Sequence, residues 1–271
     1  MAELGGKVVL VTGAARGMGK LEAINFGREG CRVVISDVDG AELQKTSDEM
    51  NGLGLKAYPY LLNVSDRAAC FELAEKVGRD VGAIDVLVNN AGVVECGDFL
   101  EMSEFSIRRM MEVNYLGQAW MMQAFVPDMV RRRSGHVVNI CSSAGKVGVA
   151  RLAAYCATKF AGIGLTDSVR AELRKSGVNF TIVNPGFVNT GMFEGTRVPT
   201  ITSWQDPQKI ADEVVTAVKK DRREIFIPRF AVHMAAFARG LGIPRLSDFA
   251  NTLLGGNKSM NAWRKDPARP F

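Results

Sequence analysis

Through the first 228 residues, short apolar runs rich in β-branched residues alternate with segments whose apolar residues recur at helical spacing. Seven of these runs predict strands, at residues 7–12, 32–36, 56–62, 84–89, 136–141, 178–183 and 224–227. The segments between them, such as 65–80 and 104–133, predict helices. Runs such as VVLV are apolar on both faces, as in a parallel sheet that helices cover on both sides. The pattern predicts a single α/β domain with a doubly wound, parallel, seven-stranded sheet.

The alternation stops at residue 228, so we divide the chain into a domain at 1–228 and a C-terminal extension at 229–271. The extension is rich in Phe, Met, Arg and Gly, and Pro244 interrupts it. We expect one short helix at 231–237 and otherwise an extended segment that closes the same domain.

Composition restricts the class of protein. Hydrophobic residues make up 47% of the 271 residues, which is enough for a large core. No apolar stretch is long enough to span a membrane, and the first strand-like run begins at Lys7, which leaves no room for a signal peptide. The five cysteines form no C-x-x-C pair and the two histidines have no ligand spacing. We therefore expect a cytoplasmic protein with reduced thiols and no metal site.

Basic residues are concentrated at the end of the chain. Residues 219–271 contain 11 Lys/Arg and 4 Asp/Glu, a net charge of +7, whereas the preceding residues contain 23 and 25, a net charge of −2. Such an end could meet nucleic acid, anionic lipid or an acidic ligand, or it could be a solvated rim or subunit contact. It lacks interleaved aromatic residues at stacking spacing, so we expect no nucleic-acid partner and leave peripheral membrane contact open.

A glycine-rich turn follows the first predicted strand. Gly13, Gly17 and Gly19 precede a predicted helix, an arrangement that lets backbone amides approach a pyrophosphate. Asp37, at the end of the second strand, can accept hydrogen bonds from ribose hydroxyls and repel a 2′-phosphate, which favours NAD. Arg16 could hold that phosphate and favour NADP, or it could pair with Asp37.

A second candidate group lies in the stretch CSSAGKVGVARLAAYCATK at 141–159. Tyr155 and Lys159 are four residues apart and share one face of a helix. A neighbouring ammonium favours the phenolate, and lowering the pKa from about 10 to about 7 needs roughly 4 kcal/mol. Ser142 and Ser143 precede this pair. Because successive side chains of a strand face opposite sides, only one of the two can point toward Tyr155.

These motifs resemble those of the short-chain dehydrogenase/reductase family over roughly residues 5–228. The resemblance rests on TGxxxGxG from Thr12, NNAG at 89–92, Tyr155-x-x-x-Lys159 and NPGFVNTGMF at 184–193. It implies a Rossmann-type fold and hydride transfer to a nicotinamide cofactor, with NAD expected and NADP as the alternative.

The resemblance also implies roles for individual residues. Tyr155 would be the general acid/base, and Lys159 would lower its pKa and bind the nicotinamide ribose. Ser142, 13 residues before the tyrosine as is usual in the family, would orient the substrate. Asn114 would hold a water of a proton relay, with a satisfied core amide as the alternative. Cofactor contacts would come from Gly13, Arg16, Gly17, Met18, Gly19, Asp37, Asn63, Val64, Asn90, Ala91, Gly92, Tyr155, Lys159, Pro185, Gly186, Val188 and Thr190.

Within the family, the chain is similar to the 17β-hydroxysteroid and retinol dehydrogenase branch. The apolar loop at 186–205 would cover a hydrophobic substrate, with Phe187, Met192, Ser142 and Tyr155 in contact with it, and ordinary packing of the loop is the alternative for its apolar residues. We expect an NAD-dependent oxidoreductase that interconverts a secondary or lipid-type alcohol and its carbonyl. An NADPH-dependent carbonyl reductase is the alternative, and a nucleotide-responsive binding protein that uses the basic end is a remote one. The resemblance also implies a homodimer or homotetramer formed through the helices that bear Asn114 and Tyr155.

Overall fold

The computed structural model describes residues 3–198, 203–228 and 259–263. Within them, seven parallel strands form one sheet in the order β3-β2-β1-β4-β5-β6-β7. The strands are β1 (Val8–Thr12), β2 (Arg32–Asp37), β3 (Ala57–Leu61), β4 (Val86–Asn89), β5 (Gly135–Ile140), β6 (Val178–Pro185) and β7 (Glu224–Ile227). Each matches a predicted run, and the doubly wound parallel sheet is confirmed. The predicted helix at 231–237 lies outside the described residues.

Seven α-helices connect or flank the strands of the described chain. They are α1 (Gly17–Arg28), α2 (Gly40–Gly52), α3 (Arg67–Asp80), α4 (Glu104–Met111), α5 (Gly117–Arg132), α6 (Ala153–Glu172) and α7 (Pro207–Lys219). The single helix predicted over 104–133 is instead two helices, joined by one π-helical turn at Glu112–Leu116. Such wide turns often occur at functional sites, and this one contains Asn114.

The strands alternate their side chains between two helical layers. Val9 and Val11 pack into the core that faces α1, α2 and α7. Val8 and Leu10 point the other way, into the core that contains side chains of α3 and α5. This alternation explains why a run such as VVLV in β1 is apolar at successive positions.

The order of the strands reverses at β1, which pairs with β2 on one side and β4 on the other. The connections that leave the carboxyl ends of β1 and β4 therefore diverge, and a crevice opens between them. The glycine loop follows β1 and the NNAG stretch includes the end of β4, so both reach this crevice.

Candidate active site

A cleft of about 410 Å³ lies at the carboxyl ends of these strands, within the usual size range of small-molecule sites. All but three of the predicted site residues line it. These are Gly13, Arg16, Gly17, Met18, Asp37, Asn63, Val64, Asn90, Ala91, Gly92, Ser142, Tyr155, Lys159, Pro185, Gly186, Val188, Thr190 and Met192. Gly19, Asn114 and Phe187 lie outside the lining.

The glycine loop has the geometry of an anion cradle. Gly13 and Gly17 have φ angles of +65° and +59°, a region that favours glycine. A Cβ on Gly17 would lie 3.5 Å from the Cβ of Thr190, so a side chain there would narrow the cleft. Arg16, the N-cap of α1, makes no side-chain cap, which leaves first-turn amides available to an anion. The cleft therefore fits the pyrophosphate of a dinucleotide.

Gly19 has a structural place beneath this loop rather than a place in the cleft. A Cβ there would collide with the Gly13 oxygen and the Asn90 amide, so glycine allows α1 to approach. The Asn90 Nδ2 donates to the carbonyls of Thr12 and Gly13, at 2.9 and 3.0 Å. The backbone amides of Asn90 and Ala91 donate to the Thr12 hydroxyl, at 3.0 and 3.1 Å. These bonds lock the ends of β1 and β4 together.

At the far end of the cleft, backbone amides hold the Asp37 carboxylate. Its Oδ2 accepts from Ala15 N at 3.0 Å, and its Oδ1 accepts from Asp39 N at 3.1 Å. Arg16 makes its ion pair with Asp39 rather than with Asp37, the partner that the sequence suggested. Asp39 also caps α2, which fixes the pair at the rim of the cleft.

Asn63 lines the cleft, and its contact with the adenine edge stays a prediction. Its Oδ1 already accepts from the amide and the hydroxyl of Ser65, at 3.1 and 2.8 Å. The carbonyl that would receive an adenine amino group is thus engaged, and the amide NH₂ is the better group for a ligand acceptor.

Ser142, not Ser143, faces the candidate chemistry. β5 ends at Ile140, so the serines do not alternate on a strand as expected. Ser142 is instead the extended N-cap of a 3-10 turn at Ser143–Gly145, and its Oγ accepts from Ala144 N at 3.1 Å. Its hydroxyl donates to the Pro185 carbonyl at 3.4 Å, and the side chain lines the same cleft as Tyr155. The choice of Ser142 agrees with this geometry, although the physical reason is the cap.

Tyr155 and Lys159 lie on α6 and are both buried. The Lys159 Nζ is 5.6 Å from the centroid of the Tyr155 ring and donates to the Ile140 carbonyl at 3.0 Å. Burial raises the pKa of Tyr155, and the polar Ser142 side chain opposes that rise. Burial also lowers the pKa of Lys159. The lowering of the tyrosine pKa expected from the lysine is therefore outweighed by burial in the protein alone.

Asn114 is fully buried behind the cleft wall. Its Oδ1 accepts from Val93 N at 2.8 Å, and its Nδ2 donates to Val93 O at 2.9 Å and Thr158 Oγ1 at 3.1 Å. A Cβ on Gly92 would lie 3.4 Å from Asn114 Oδ1 and 3.7 Å from Lys159 Nζ. These contacts are those of a satisfied core amide that fixes the NNAG stretch against α6, and the water relay stays a prediction.

The substrate end of the cleft is lined by Met192 and Phe193. Phe187, predicted to contact substrate, lies behind this wall and packs edge-on against Phe193, with ring centroids 5.7 Å apart. Phe193 in turn packs edge-on against Tyr155 at 6.1 Å. The substrate wall thus touches the candidate acid/base directly.

Sequence reasoning missed one wall of the cleft, formed by α4 and the π turn. Phe105, Arg109, Glu112 and Val113 line it at intervals of a helical face, and that spacing is the signal that could have found them. The Arg109 guanidinium carbon lies 5.9 Å from the centroid of the Phe105 ring. Other lining residues that were missed are Val38, Asp39, Leu62, Ser65, Val93, Ile140 and Cys141, whereas Phe193 lies in the loop predicted to cover the substrate.

Two kinds of feature are absent from residues 3–198, 203–228 and 259–263. No helix in those ranges is both long and apolar enough to cross a membrane. Nor do three His, Cys, Asp or Glu side chains come together there in a way that could hold a metal ion. All five cysteines are free thiols, and only Cys96 is not fully buried.

The comparison with known families decides the class of protein. The family model described as short chain dehydrogenase matches residues 7–199. The chain is a short-chain dehydrogenase/reductase. It is 35% identical over 235 residues to epidermal retinol dehydrogenase 2 of Mus musculus, covering 83% of this chain and 75% of that protein. It is 34% identical to estradiol 17-beta-dehydrogenase 11 of Homo sapiens, covering 86% and 79%.

A solved structure supports the same assignment. A short chain dehydrogenase/reductase from Burkholderia phymatum in complex with NAD superposes with a TM-score of 0.83 and 26% identity. The superposition covers 90% of this chain and 96% of that one. The resemblance to the retinol and 17β-hydroxysteroid dehydrogenase branch is confirmed. The chain is an oxidoreductase that acts on CH–OH groups with NAD or NADP.

Proposed function

We propose that this enzyme uses NAD to interconvert a secondary or lipid-type alcohol and its carbonyl, with Tyr155 as the general acid/base. The observation that carries the proposal is that Ser142, Tyr155 and Lys159 line one cleft together with the glycine loop. A phenol and a hydroxyl on one wall can hold the oxygen of an alcohol between them.

The residues of the chain divide the proton chemistry among them. In oxidation, Ser142 orients the substrate hydroxyl and the Tyr155 phenolate removes its proton. In reduction, the Tyr155 phenol donates that proton to the carbonyl oxygen. The nicotinamide, when bound, supplies the hydride acceptor or donor. Lys159 lies beside Gly92 and Tyr155, where its ammonium can stabilise the phenolate.

An apolar substrate fits the described wall. Val93, Phe105, Met192 and Phe193 present apolar surface to the cleft. The names of the relatives, retinol dehydrogenase and estradiol 17-beta-dehydrogenase, state that those proteins act on hydrophobic alcohols. Both facts support a lipid-type alcohol as the substrate class.

Substitution of Tyr155 tests the catalytic assignment. Tyr155→Phe removes the only titrating group of that side chain, so kcat should fall by about 10²- to 10⁴-fold. NAD affinity, measured by fluorescence titration, should change by less than about threefold, because the phenol is not part of the glycine loop. Tyr60→Phe is the matched control, since its hydroxyl bonds Asp80 away from the cleft. Substantial residual turnover in Tyr155→Phe would refute the assignment.

The raised pKa of Tyr155 gives the reaction a direction of pH dependence. Oxidation needs the phenolate, so its kcat/KM should rise from about pH 6 to about pH 10. Reduction needs the phenol, which the raised pKa keeps protonated, so its kcat/KM should stay nearly constant over the same range. We measure both directions with one alcohol–ketone pair by nicotinamide absorbance. Parallel profiles in the two directions would show that Tyr155 is not the titrating group.

The charges at the ribose end favour NAD. Asp37 and Asp39 bring two negative charges against the one positive charge of Arg16, so a 2′-phosphate would be repelled. Asp39→Asn keeps the helix cap but removes the charge that pairs with Arg16, and kcat/KM with NADP should rise about tenfold. Asp66→Asn, a cap of α3, is the control. A native enzyme that already prefers NADPH would establish the alternative, a carbonyl reductase in which Arg16 holds the 2′-phosphate.

Cytoplasmic location and assembly into a homodimer or homotetramer belong to the same proposal. The helices that bear Asn114 and Tyr155 are the expected contact. Light scattering coupled to size exclusion measures the mass in solution, and a monomer at working concentration would exclude the assembly.

A further inference from the structure

A short piece of the C-terminal extension lies against the substrate loop. Met260 is 1% exposed and belongs to the apolar cluster that contains Tyr155 and Phe193. Its Sδ lies 3.7 Å from the Thr196 hydroxyl and 3.8 Å from the Cys96 thiol. A residue far along the chain thus fills the space behind the wall of the active site.

Hydrogen bonds hold the same piece to the loop at two further points. Arg197 N donates to Ser259 O at 3.0 Å. The Trp263 indole Nε1 donates to the backbone carbonyl of Met192 at 3.2 Å. Trp263 N also donates to Met260 O at 3.3 Å, so residues 259–263 turn back on themselves and present both side chains to the loop.

Neither Met260 nor Trp263 lines the cleft, whereas Met192 and Phe193, which they contact or adjoin, do. Resting on the function proposed above, we infer that Met260 and Trp263 are positioning residues. They hold Met192 and Phe193 against Tyr155 and thereby set the bulk of the alcohol that the cleft accepts.

The physical reason is the way the wall is supported. Met260 supports the wall by filling the space behind it. Truncation of its side chain would leave a void into which Phe193 and Met192 can move. The hydrogen bond from the Trp263 indole fixes the position of the Met192 carbonyl. Loss of the Met260 packing or of the Trp263 hydrogen bond should therefore enlarge the space for the substrate and leave the glycine loop unchanged.

Met260→Ala tests the inference by a change in selectivity. The experiment compares kcat/KM for a small secondary alcohol such as 2-butanol with that for a bulky secondary alcohol such as estradiol, at saturating NAD. The ratio of kcat/KM for the bulky alcohol to kcat/KM for the small one should rise about tenfold, mainly through a lower KM for the bulky alcohol, while NAD affinity stays unchanged. Met260→Leu, which keeps the volume, should restore the native ratio.

Met129→Ala is the matched control, because Met129 is equally buried but lies in the core on the side of α3 and α5. It should cost similar stability and leave the ratio within about twofold of native. Trp263→Phe should shift the ratio in the same direction as Met260→Ala, and Trp120→Phe serves as its control. Equal ratios in Met260→Ala and Met129→Ala would overturn the inference.

A measurement without turnover separates this inference from the proposed function. Amide hydrogen exchange at Thr196 and Arg197 should speed up in Met260→Ala and Trp263→Phe, while exchange in the glycine loop stays as in the native protein. Unchanged exchange at these amides would overturn the inference, whatever the substrate is. Failure of the native enzyme to oxidise any alcohol would instead overturn the proposed function.

Discussion

At the cofactor end of the cleft, hydrogen bonds to backbone atoms fix the glycine loop. At the substrate end, side-chain packing holds the wall of the cleft in place. The Asn90 side-chain amide donates to the carbonyls of Thr12 and Gly13, which fixes the backbone at the start of the glycine loop. Phe193 is held by the rings of Tyr155 and Phe187 and by the cluster that includes Met260.

The difference explains how one fold can keep its cofactor and change its substrate. A loop defined by positive φ angles and backbone bonds cannot accept most substitutions. A packed apolar wall tolerates changes of similar volume and changes its shape when the volume changes. We therefore expect substitutions at the two ends to affect different kinetic constants.

The largest effect should follow Gly17→Val, which attacks the cofactor end. A β-branched residue is strained at φ +59°, and its side chain would extend toward Thr190 across the cleft. The dissociation constant for NAD should rise at least about 100-fold, as isothermal titration can measure. Gly52→Val, in open space at the end of α2, is the control. Normal NAD binding in Gly17→Val would mean that the loop does not hold the cofactor.

Phe193→Ala at the substrate end should have a smaller effect, which falls on the KM for the alcohol and not on the affinity for NAD. Loss of the ring removes the edge contact with Tyr155 and part of the apolar lining. KM for a lipid-type alcohol should rise about tenfold, and the NAD dissociation constant should stay within about twofold. Steady-state kinetics and titration on the same sample check both. A parallel loss of NAD affinity would show that the two ends are coupled.

The smallest effect on activity, and a clear one on stability, should come from Glu22 in α1. This carboxyl is completely buried, and neither oxygen has a hydrogen-bond partner within the described chain. Burial raises its pKa from the ordinary 4.5 to about 8. Between those values the folded protein keeps a proton that the unfolded chain releases, so stability falls as pH rises through this window.

Glu22→Gln should remove that dependence. The free energy of unfolding of the variant minus that of the native protein should increase by roughly 1 kcal/mol per pH unit between about pH 5 and about pH 8. Urea unfolding at both ends of the window measures it, and NAD affinity serves as the check that the glycine loop is intact. A constant difference across the window would show that Glu22 is already ionised in the folded protein.

Much of the fold and of the cofactor end could be predicted from local pattern. Strand positions followed from apolar runs, and Gly13, Gly17 and Asp37 from their places at strand ends. Other residues had no such signal. Whether Gly19 lines the cleft depends on how closely α1 approaches Asn90, and whether Phe187 or Phe193 faces it depends on the path of the loop. The wall at Phe105 and Arg109 depends on the packing of α4.

By itself, the sequence determined the parallel sheet, the glycine turn and the spacing of Tyr155 and Lys159, because periodicity and short-range spacing are local properties of a chain. Only the tertiary structure decided that Arg16 pairs with Asp39 and that Asn114 binds Val93. It alone also placed Met260 behind Phe193. These choices depend on distances between residues remote in sequence, and the burial that results from them raises the pKa of Tyr155.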